Sequence, residues 1–323
     1  MRIAIDLMGG DNAPRAMIDG ARLIAAAHAD WQLVLVGDAA ALAQLPASDT
    51  IRHIESHSVM AMDESVKNLL NKKDSSIWLA TQAVKNGEAD AVISAGSTGA
   101  QMSAAALLLS RPPSISRPAI GTLLPTLQGP RMMLDLGANT DCDATMMLRF
   151  AQMGDVYARC IRGVERPRIA LLSNGVEDHK GSKLVKETHT VLKESSLNFI
   201  GNLEGRDILY GDYDVMVTDG FSGNIALKSM EGALGVLMMT LKQELTASLP
   251  RKLGALMLKS SFNSLKRKFD YRSYGGAPLL GVKGVSIVCH GSSDAEAILS
   301  AAATAALAVD SGLVRNICAI GAE

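Results

Sequence analysis

Aromatic side chains and cysteine are what this 323-residue sequence has least of. Phe, Trp and Tyr make up 4% of the residues, so a core must come from aliphatic side chains and the 16 Met within a 48% hydrophobic composition. The four cysteines lie far apart with no Cys-x-x-Cys pair. This spacing argues against a disulfide framework and a cysteine-rich zinc site, and it is typical of a reducing compartment.

The sequence also lacks an excess of either charge and lacks a long apolar run. A net charge of −1 provides no overall attraction to nucleic acid or to a membrane, so any such affinity must be local. No run of 18 apolar residues is present, and the first residues read as a strand rather than a signal peptide. We therefore predict a cytoplasmic protein without a nucleic-acid partner.

Several common catalytic motifs are missing as well. There is no Gly-x-Ser-x-Gly, no His-Glu-x-x-His and no P-loop, and Gly96-Ser97-Thr98-Gly99 is not a dinucleotide fingerprint, which disfavours a nicotinamide cofactor. Cys142 stands between two aspartates that would disfavour its thiolate. The aspartates at strand ends could hold Mg²⁺, but they lack the spacing of a metal-binding loop. The sequence predicts neither a cofactor nor a metal.

What the sequence does contain is a repeated alternation of apolar strands and helices. Strands are predicted at residues 2–8, 31–36, 51–56, 91–94, 132–136, 168–173, 215–218 and 285–289. Such a pattern favours a three-layer α/β/α fold with a mostly parallel sheet. Residues 118–136, with a turn at 125–130, read as a hairpin that adds an antiparallel part. Because no repeat or linker interrupts the chain, we predict one catalytic α/β domain over residues 1–323.

One strand end stands out, at residues 91–100. An apolar strand stops at Ser94 and is followed by Gly96, Ser97, Thr98 and Gly99 before a helical stretch. A helix N-terminus offers free backbone N–H groups that suit an anion, and the hydroxyls can add donors. The alternative is that the glycines only turn the chain and a hydroxyl only caps the helix.

Five further predicted strands end in glycine together with polar residues. In open α/β sheets, ligands gather beyond the carboxyl ends of the strands, so we predict that all six ends share one edge and form a binding site. The candidate residues of these five ends are Gly9, Gly10, Asp11, Asp135, Asn139, Asn174, Glu177, Lys180, Asp219, Asn224 and His290.

Three basic residues could supply the chemistry. Lys180 and Lys228 could bring positive charge to a phosphate or an oxyanion, and His290 could act as a general acid or a donor. The alternatives are solvated lysines and a structural histidine.

Residues 249–274 differ in character from the rest of the chain. Residues 251–272 carry seven basic residues but only one acidic residue, Asp270. A basic helix with an apolar stripe suits an anionic membrane surface or an acidic partner, although a packed surface helix or a dimer contact would show the same pattern. The predicted membrane-contact residues are Leu258, Phe262, Leu265, Phe269, Lys266, Arg267 and Lys268.

Taken together in order along the chain, these motifs resemble the bacterial phosphate acyltransferases of phospholipid synthesis. The resemblance rests on residues 8–11, 94–100, 135–139, 219–224, 274–277 and 290–292. It departs at Ser97, where the family commonly has Asn, and at residues 173–177.

The resemblance implies transfer of a fatty acyl group from acyl carrier protein to inorganic phosphate. It also implies a fold similar to isopropylmalate dehydrogenase and phosphotransacetylase, a homodimer, and peripheral association with the cytoplasmic membrane face. The reaction agrees with the residues, since phosphate is itself the nucleophile and neither a triad nor a metal is required. We predict a phosphate site at residues 94–99, with Lys180, Asn139 and His290 as catalytic groups. The rivals are a coenzyme A-dependent phosphotransacetylase, an NAD-dependent dehydrogenase and a lipid-binding scaffold.

Overall fold

An eleven-stranded sheet runs through the computed structural model, which describes residues 1–262 and 275–321. Across the sheet the order is β3-β2-β1-β4-β11-β10-β5-β6-β9-β7-β8. The strands are β1 (Arg2–Asp6), β2 (Gln32–Gly37), β3 (Ile51–Glu55), β4 (Ala91–Ser94), β5 (Ala119–Leu124), β6 (Arg131–Leu134), β7 (Ile169–Ser173), β8 (Phe199–Glu204), β9 (Val215–Val217), β10 (Ala277–Leu280) and β11 (Val285–Val288).

Helices cover both faces of this sheet. They are α1 (Arg15–Ala27), α2 (Ala39–Leu42), α3 (Ser76–Lys85), α4 (Thr98–Leu108), α5 (Ala144–Arg162), α6 (Lys183–Glu194), α7 (Gly220–Thr246), α8 (Leu249–Met257), α9 (Ala295–Asp310) and α10 (Leu313–Cys318). Apolar side chains of α1, α5, α6, α9 and α10 form one core with the sheet, whereas α3, α4 and α7 pack on the opposite face. The predicted three-layer, mostly parallel α/β fold is confirmed.

The sheet consists of two parallel halves that run in opposite directions. Strands β3, β2, β1, β4 and β11 are mutually parallel, and so are β6, β9, β7 and β8. Strands β10 and β5 lie between the halves, and each pairs antiparallel to both of its neighbours. The predicted hairpin is thus confirmed as β5–β6, and it belongs to the junction at which the strand direction reverses.

This reversal corrects the prediction that six strand ends share one edge. The carboxyl ends of β1, β4 and β11 lie at one edge, and those of β6, β7 and β9 lie at the other. The expectation was wrong because strand direction across a junction depends on pairings between distant segments. Two clusters of polar strand ends therefore exist, and a connecting element is needed to bring them together.

That element is α7, whose 27 residues span about 40 Å at the rise of an α-helix. Asp219 caps its start by accepting a hydrogen bond from the Ser222 N–H at 2.8 Å. Only Gly220 and Gly223 of α7 are fully buried, whereas Val236, Leu237 and Met239 in its second half are exposed. Helix α8 follows and is exposed at every residue except Ala255, which is half-buried.

The exposed helical region therefore begins earlier in the chain than the predicted insert at residues 249–274. Among the predicted membrane-contact residues, Leu258 is exposed and Phe262 is half-buried. Leu265, Lys266, Arg267, Lys268 and Phe269 lie outside the described residues.

Candidate active site

The first cluster of strand ends is built around a buried aspartate, Asp6, at the end of β1. Its carboxylate accepts hydrogen bonds from the Ser94 hydroxyl at 2.7 Å and from the Met8 N–H at 3.1 Å. The Ser94 hydroxyl in turn accepts one from the Gly96 N–H at 3.0 Å. Burial raises the pKa of Asp6, and these hydrogen bonds oppose that rise. The result is a fixed connection between the ends of β1 and β4.

Gly9 has a steric role in this connection. A Cβ atom at residue 9 would lie 2.6 Å from the Gly96 nitrogen and 2.8 Å from the Asp6 carboxylate. The loop after β1 therefore approaches the loop after β4 backbone to backbone, which only glycine permits. The Asp11 N–H donates to the Gly291 carbonyl at 2.8 Å, so the loop after β11 joins the same cluster.

Helix α4 begins within this cluster, at Thr98. Ser97 occupies its N-cap position but forms no side-chain capping bond. The first-turn N–H groups of a helix have no partner inside the helix, and the helix dipole makes this end attractive to an anion. The start of α4 therefore presents backbone donors at the residues predicted to bind an anion.

The second cluster anchors the start of α7. The buried carboxylate of Asp135, after β6, accepts hydrogen bonds from the backbone N–H groups of Ile120 at 3.0 Å and Asn139 at 2.7 Å. The Gly220 N–H donates to the Asn139 carbonyl at 2.7 Å. A Cβ atom on Gly223 would lie 2.1 Å from the Asp135 carbonyl oxygen. Tight backbone packing thus fixes the direction in which α7 crosses the sheet.

Because of that direction, Lys228 reaches the first cluster. It lies eight residues into α7, roughly 12 Å along the helix axis. Its Nζ atom is 3.5 Å from His290 Nε2 and 2.9 Å from a carboxylate oxygen of Glu231. The other Glu231 oxygen is buried and has no hydrogen-bond partner among the described residues. The Ser292 N–H donates to His290 Nδ1 at 3.1 Å, and the Ser292 hydroxyl lies 2.8 Å from the same nitrogen.

A pocket of about 180 Å³ lies under these groups, between α7 and the β5–β10–β11 junction. Its wall is mostly apolar, with Ile120, Leu123, Leu136, Leu227 and Val288 among the lining side chains. Thr98, Asn224, Lys228 and His290 also line it. The pocket therefore combines an apolar interior with the N-terminus of α4 and two basic side chains.

The predicted site residues divide into four groups. Thr98, Asn224, Lys228 and His290 line the pocket. The strand-end cluster beside it contains Gly9, Gly10, Asp11, Ser94, Gly96, Ser97 and Gly99. Asp135, Asn139 and Asp219 form the second cluster.

The fourth group, Asn174, Glu177 and Lys180, follows β7 at the opposite edge. The Lys180 N–H donates to the Glu177 carbonyl at 3.0 Å, and the Lys180 side chain lies over Gly175. Within residues 1–262 and 275–321, no contact brings these three side chains to the pocket.

Asn139 has both side-chain N–H groups occupied. Its amide nitrogen donates to the Pro118 carbonyl at 2.8 Å and to Asp135 at 2.9 Å. An amide held in this way positions its loop rather than offering a donor to a ligand.

Sequence patterns alone do not reveal the apolar lining of the pocket. It comes from β5, β10 and the inner face of α7, whose side chains look like ordinary core residues until the strand order is known. The one local signal was the glycine pair before β10, where Gly276 and Ala277 line the pocket.

Cys142 fits the prediction that it is not a nucleophile. Burial, together with the nearby charges of Asp135, Asp219 and Asp143, raises the pKa of its thiol to about 12. In the described part of the chain, no three His, Cys, Asp or Glu side chains lie close enough to hold a metal ion. None of the described helices is long and apolar enough to cross a membrane.

Comparison with known proteins identifies the family. Residues 1–316 match the family model described as "Fatty acid synthesis protein". The chain is 46% identical to a phosphate acyltransferase of Desulfitobacterium hafniense over 323 residues, covering 98% of this chain and 96% of that one. It is also 46% identical to a phosphate acyltransferase of Moorella thermoacetica, covering 97% and 94%. The chain belongs to the phosphate acyltransferase family. It is an acyltransferase of fatty acid synthesis.

Solved structures of other members of the fold agree with the architecture. A phosphotransacetylase from Streptococcus pyogenes superposes with a TM-score of 0.60 at 18% identity, covering 98% of this chain and 94% of that one. A 4-hydroxythreonine-4-phosphate dehydrogenase from Klebsiella pneumoniae superposes with a TM-score of 0.53 at 13% identity, covering 96% and 98%. The similarity of fold to phosphotransacetylases and dehydrogenases, which the resemblance implied, is confirmed.

Proposed function

We propose that this acyltransferase moves a fatty acyl group from acyl carrier protein to inorganic phosphate and so produces an acyl phosphate for phospholipid synthesis. One observation supports this proposal most directly. The free N-terminus of α4 and the Lys228–His290 pair lie at the same apolar pocket. An anion and an acyl chain can therefore be bound next to each other.

In the proposed reaction, phosphate binds at Ser97, Thr98 and the first turn of α4. A phosphate oxygen attacks the thioester carbonyl carbon, and the carbonyl oxygen takes up the negative charge of a tetrahedral intermediate. The C–S bond then breaks, which releases acyl phosphate and a thiolate. The thiolate takes a proton from water, or from His290 when its ring is in the protonated imidazolium form. Lys228 supplies positive charge to the oxyanion and to the departing sulfur.

The apolar wall of the pocket binds the acyl chain in this proposal. Ile120, Leu123 and Leu227 would cover the methylene groups nearest to the thioester, and each buried methylene contributes about 0.8 kcal/mol. A binding site of this kind favours fatty acyl donors over short ones.

The remaining predicted site residues have two roles. We assign Asp135, Asn139 and Asp219 to positioning α7, on the strength of their hydrogen bonds. Lys180, with Asn174 and Glu177, stays a predicted catalytic group whose test is the activity of Lys180→Ala.

We also propose a homodimer that associates peripherally with the cytoplasmic face of the membrane. The exposed apolar residues of α7 and α8 support both parts of this proposal, since large exposed apolar patches mark association sites.

The deciding experiment is mass-spectrometric detection of acyl phosphate from acyl carrier protein thioester and phosphate. Coenzyme A thioesters serve as the second donor, and an assay with NAD and no thioester tests for a dehydrogenase. If every donor remains uncleaved in the presence of phosphate, the proposed function is wrong. If coenzyme A thioesters react and carrier-protein thioesters do not, the donor assignment is wrong.

A further inference from the structure

A second cleft, about 400 Å³ in volume, lies between the end of α4 and the loop before β5. Arg111, Ser116 and Arg117 line it from that loop, Ser103 lines it from α4, and Asn139 lines it from the loop after β6. No acidic side chain is among its lining residues. The cleft is therefore a concave surface with two positive charges and two hydroxyl groups.

Neither Arg111 nor Arg117 stabilises the described part of the chain through a polar side-chain contact. Arg111 and Arg117 are exposed, and within the described part of the chain neither forms an ion pair or a side-chain hydrogen bond. Other arginines, such as Arg2, Arg52 and Arg168, each have a carboxylate partner within 3.2 Å. Two unpaired guanidinium groups in one cleft match the requirements of a phosphate group, which arginine binds in a bidentate manner.

Helix α4 borders both the central pocket and the cleft. Helix α4 lines the pocket at Thr98 and lines the cleft from Met102 to Ala106. Eight residues separate Thr98 from Ala106, which corresponds to roughly 12 Å along the helix. A ligand that extends along α4 can therefore reach both places at once.

We infer that the Arg111–Arg117 cleft binds the phosphate at the far end of the pantetheine arm of the thioester donor. This inference rests on the proposed function, because that donor carries a thioester at one end of its arm and a phosphate at the other. The acceptor phosphate binds at α4's N-terminus, the thioester lies at the mouth of the pocket, and the arm runs along α4 to the arginines. Both carrier-protein and coenzyme A donors have this phosphate.

The test compares Arg111→Ala/Arg117→Ala with wild type on three acyl donors: carrier protein, coenzyme A, and acyl-pantetheine without the phosphate. We expect the KM of the first two donors to rise by roughly tenfold to a hundredfold, as the loss of charged hydrogen bonds predicts, with kcat nearly unchanged. Turnover of acyl-pantetheine should match wild type. Arg166→Ala is the matched control, because Arg166 is exposed, lines neither cavity and has no ion pair in the described part of the chain.

Two kinetic outcomes would overturn the inference. An equal loss with acyl-pantetheine would show that the arginines act through the structure of the groove. A loss confined to the carrier-protein donor would show that they contact the carrier's surface instead of the arm.

A binding experiment separates this inference from the proposed function. Calorimetric titration of wild-type protein with phosphopantetheine and with pantetheine needs no turnover. If wild type binds phosphopantetheine more strongly than pantetheine, and Arg111→Ala/Arg117→Ala loses this difference, the cleft binds the phosphate. This result holds even if no acyl phosphate forms. Equal binding of the two compounds by wild type refutes it.

Discussion

Lys228 is the basic side chain at the mouth of the pocket, between Glu231 and His290. If it stabilises the oxyanion and the departing sulfur, Lys228→Met should lower kcat by about a hundredfold to a thousandfold, as the loss of one oxyanion donor does elsewhere. Lys228→Arg should recover part of this loss. Steady-state rates of acyl phosphate formation measure both effects.

Lys283→Met is the control for that change. Lys283 is an exposed lysine in the turn between β10 and β11 and lines neither the pocket nor the arginine cleft. Equal rates of acyl phosphate formation for Lys228→Met and Lys283→Met would show that Lys228 has no role in the mechanism.

Gly9 allows the close approach of two loops that build the anion site. Since a Cβ atom there would lie 2.6 Å from the Gly96 nitrogen, Gly9→Ala should reduce the free energy of unfolding by about 1–3 kcal/mol and raise the KM for phosphate. Gly232→Ala is the counterpart, because a Cβ atom on Gly232 in α7 has no neighbour within 4 Å. It should increase stability by about 0.5–1 kcal/mol. Urea unfolding of both variants tests the pair, and equal stability of Gly9→Ala and wild type would contradict the steric argument.

Cys142 should be dispensable for the chemistry. With its pKa raised to about 12, the thiol is neutral in the folded protein throughout the physiological range. We expect Cys142→Ala to retain activity within about twofold and the Cys142 thiol of the wild-type protein to resist iodoacetamide at pH 8. The raised pKa contributes stability that is fully present below the thiol's ordinary pKa and is lost as the pH rises toward 12. A collapse of kcat in Cys142→Ala with unchanged stability would restore a covalent mechanism.

At the level of single residues, the sequence indicated several polar residues that line the pocket but not its apolar wall. Thr98 and His290 were singled out because polar residues after a strand are locally recognisable, and Lys228 because it could bring positive charge to the same place. The pocket wall was not found, since Ile120 and Val288 become neighbours only through the pairing of distant strands.

Helix α8 is an element with almost no protein contacts on its apolar side. Leu249, Leu253, Leu256 and Met257 are 77%, 66%, 66% and 85% exposed. If these side chains enter an anionic membrane, Leu253→Asp/Leu256→Asp should reduce vesicle binding at least tenfold and leave turnover of soluble donors unchanged, because each buried leucine contributes about 1.5–3 kcal/mol.

Flotation with anionic vesicles measures this binding. Leu307→Asp is a suitable control, because Leu307 is 55% exposed on α9, which packs against the sheet. If the double variant binds vesicles as wild type does, α8 is not the anchor. A change from dimer to monomer in light scattering would instead assign the apolar surface to a second copy of the chain.

The elements themselves were predictable to different degrees. Strands such as β4 were predicted at their observed bounds because an apolar run ends sharply at a glycine-rich turn. Strands β8 and β10 were missed. The first contains Gly201 and has Asn202 as its single buried residue, and the second has four residues including Pro278. The reversal of strand direction at β10 and β5 could not be read locally, because it is a property of pairings between segments up to about half the chain apart.

At the scale of the whole molecule, the central strands connect the two halves of the sheet in an order unlike that of the chain. Strands β10 and β11 come from the last part of the sequence, yet they lie between β4 and β5. The segment that contains β10 and β11 therefore contacts both halves of the sheet. Because of this interleaving, we predict that the two halves unfold together, in agreement with the predicted single domain.

The positions of the aromatic residues provide a direct test. Both tryptophans, Trp31 and Trp78, belong to the half that contains β1–β4, so tryptophan fluorescence reports on that half alone. Leu171 is fully buried in β7 of the other half. Leu171→Ala should cost about 2–5 kcal/mol, and it should lower the urea midpoint seen by tryptophan fluorescence as much as the midpoint seen by far-ultraviolet circular dichroism. If the tryptophan midpoint stays at the wild-type value while the dichroism midpoint falls, the halves unfold as separate units and the single-domain prediction is wrong.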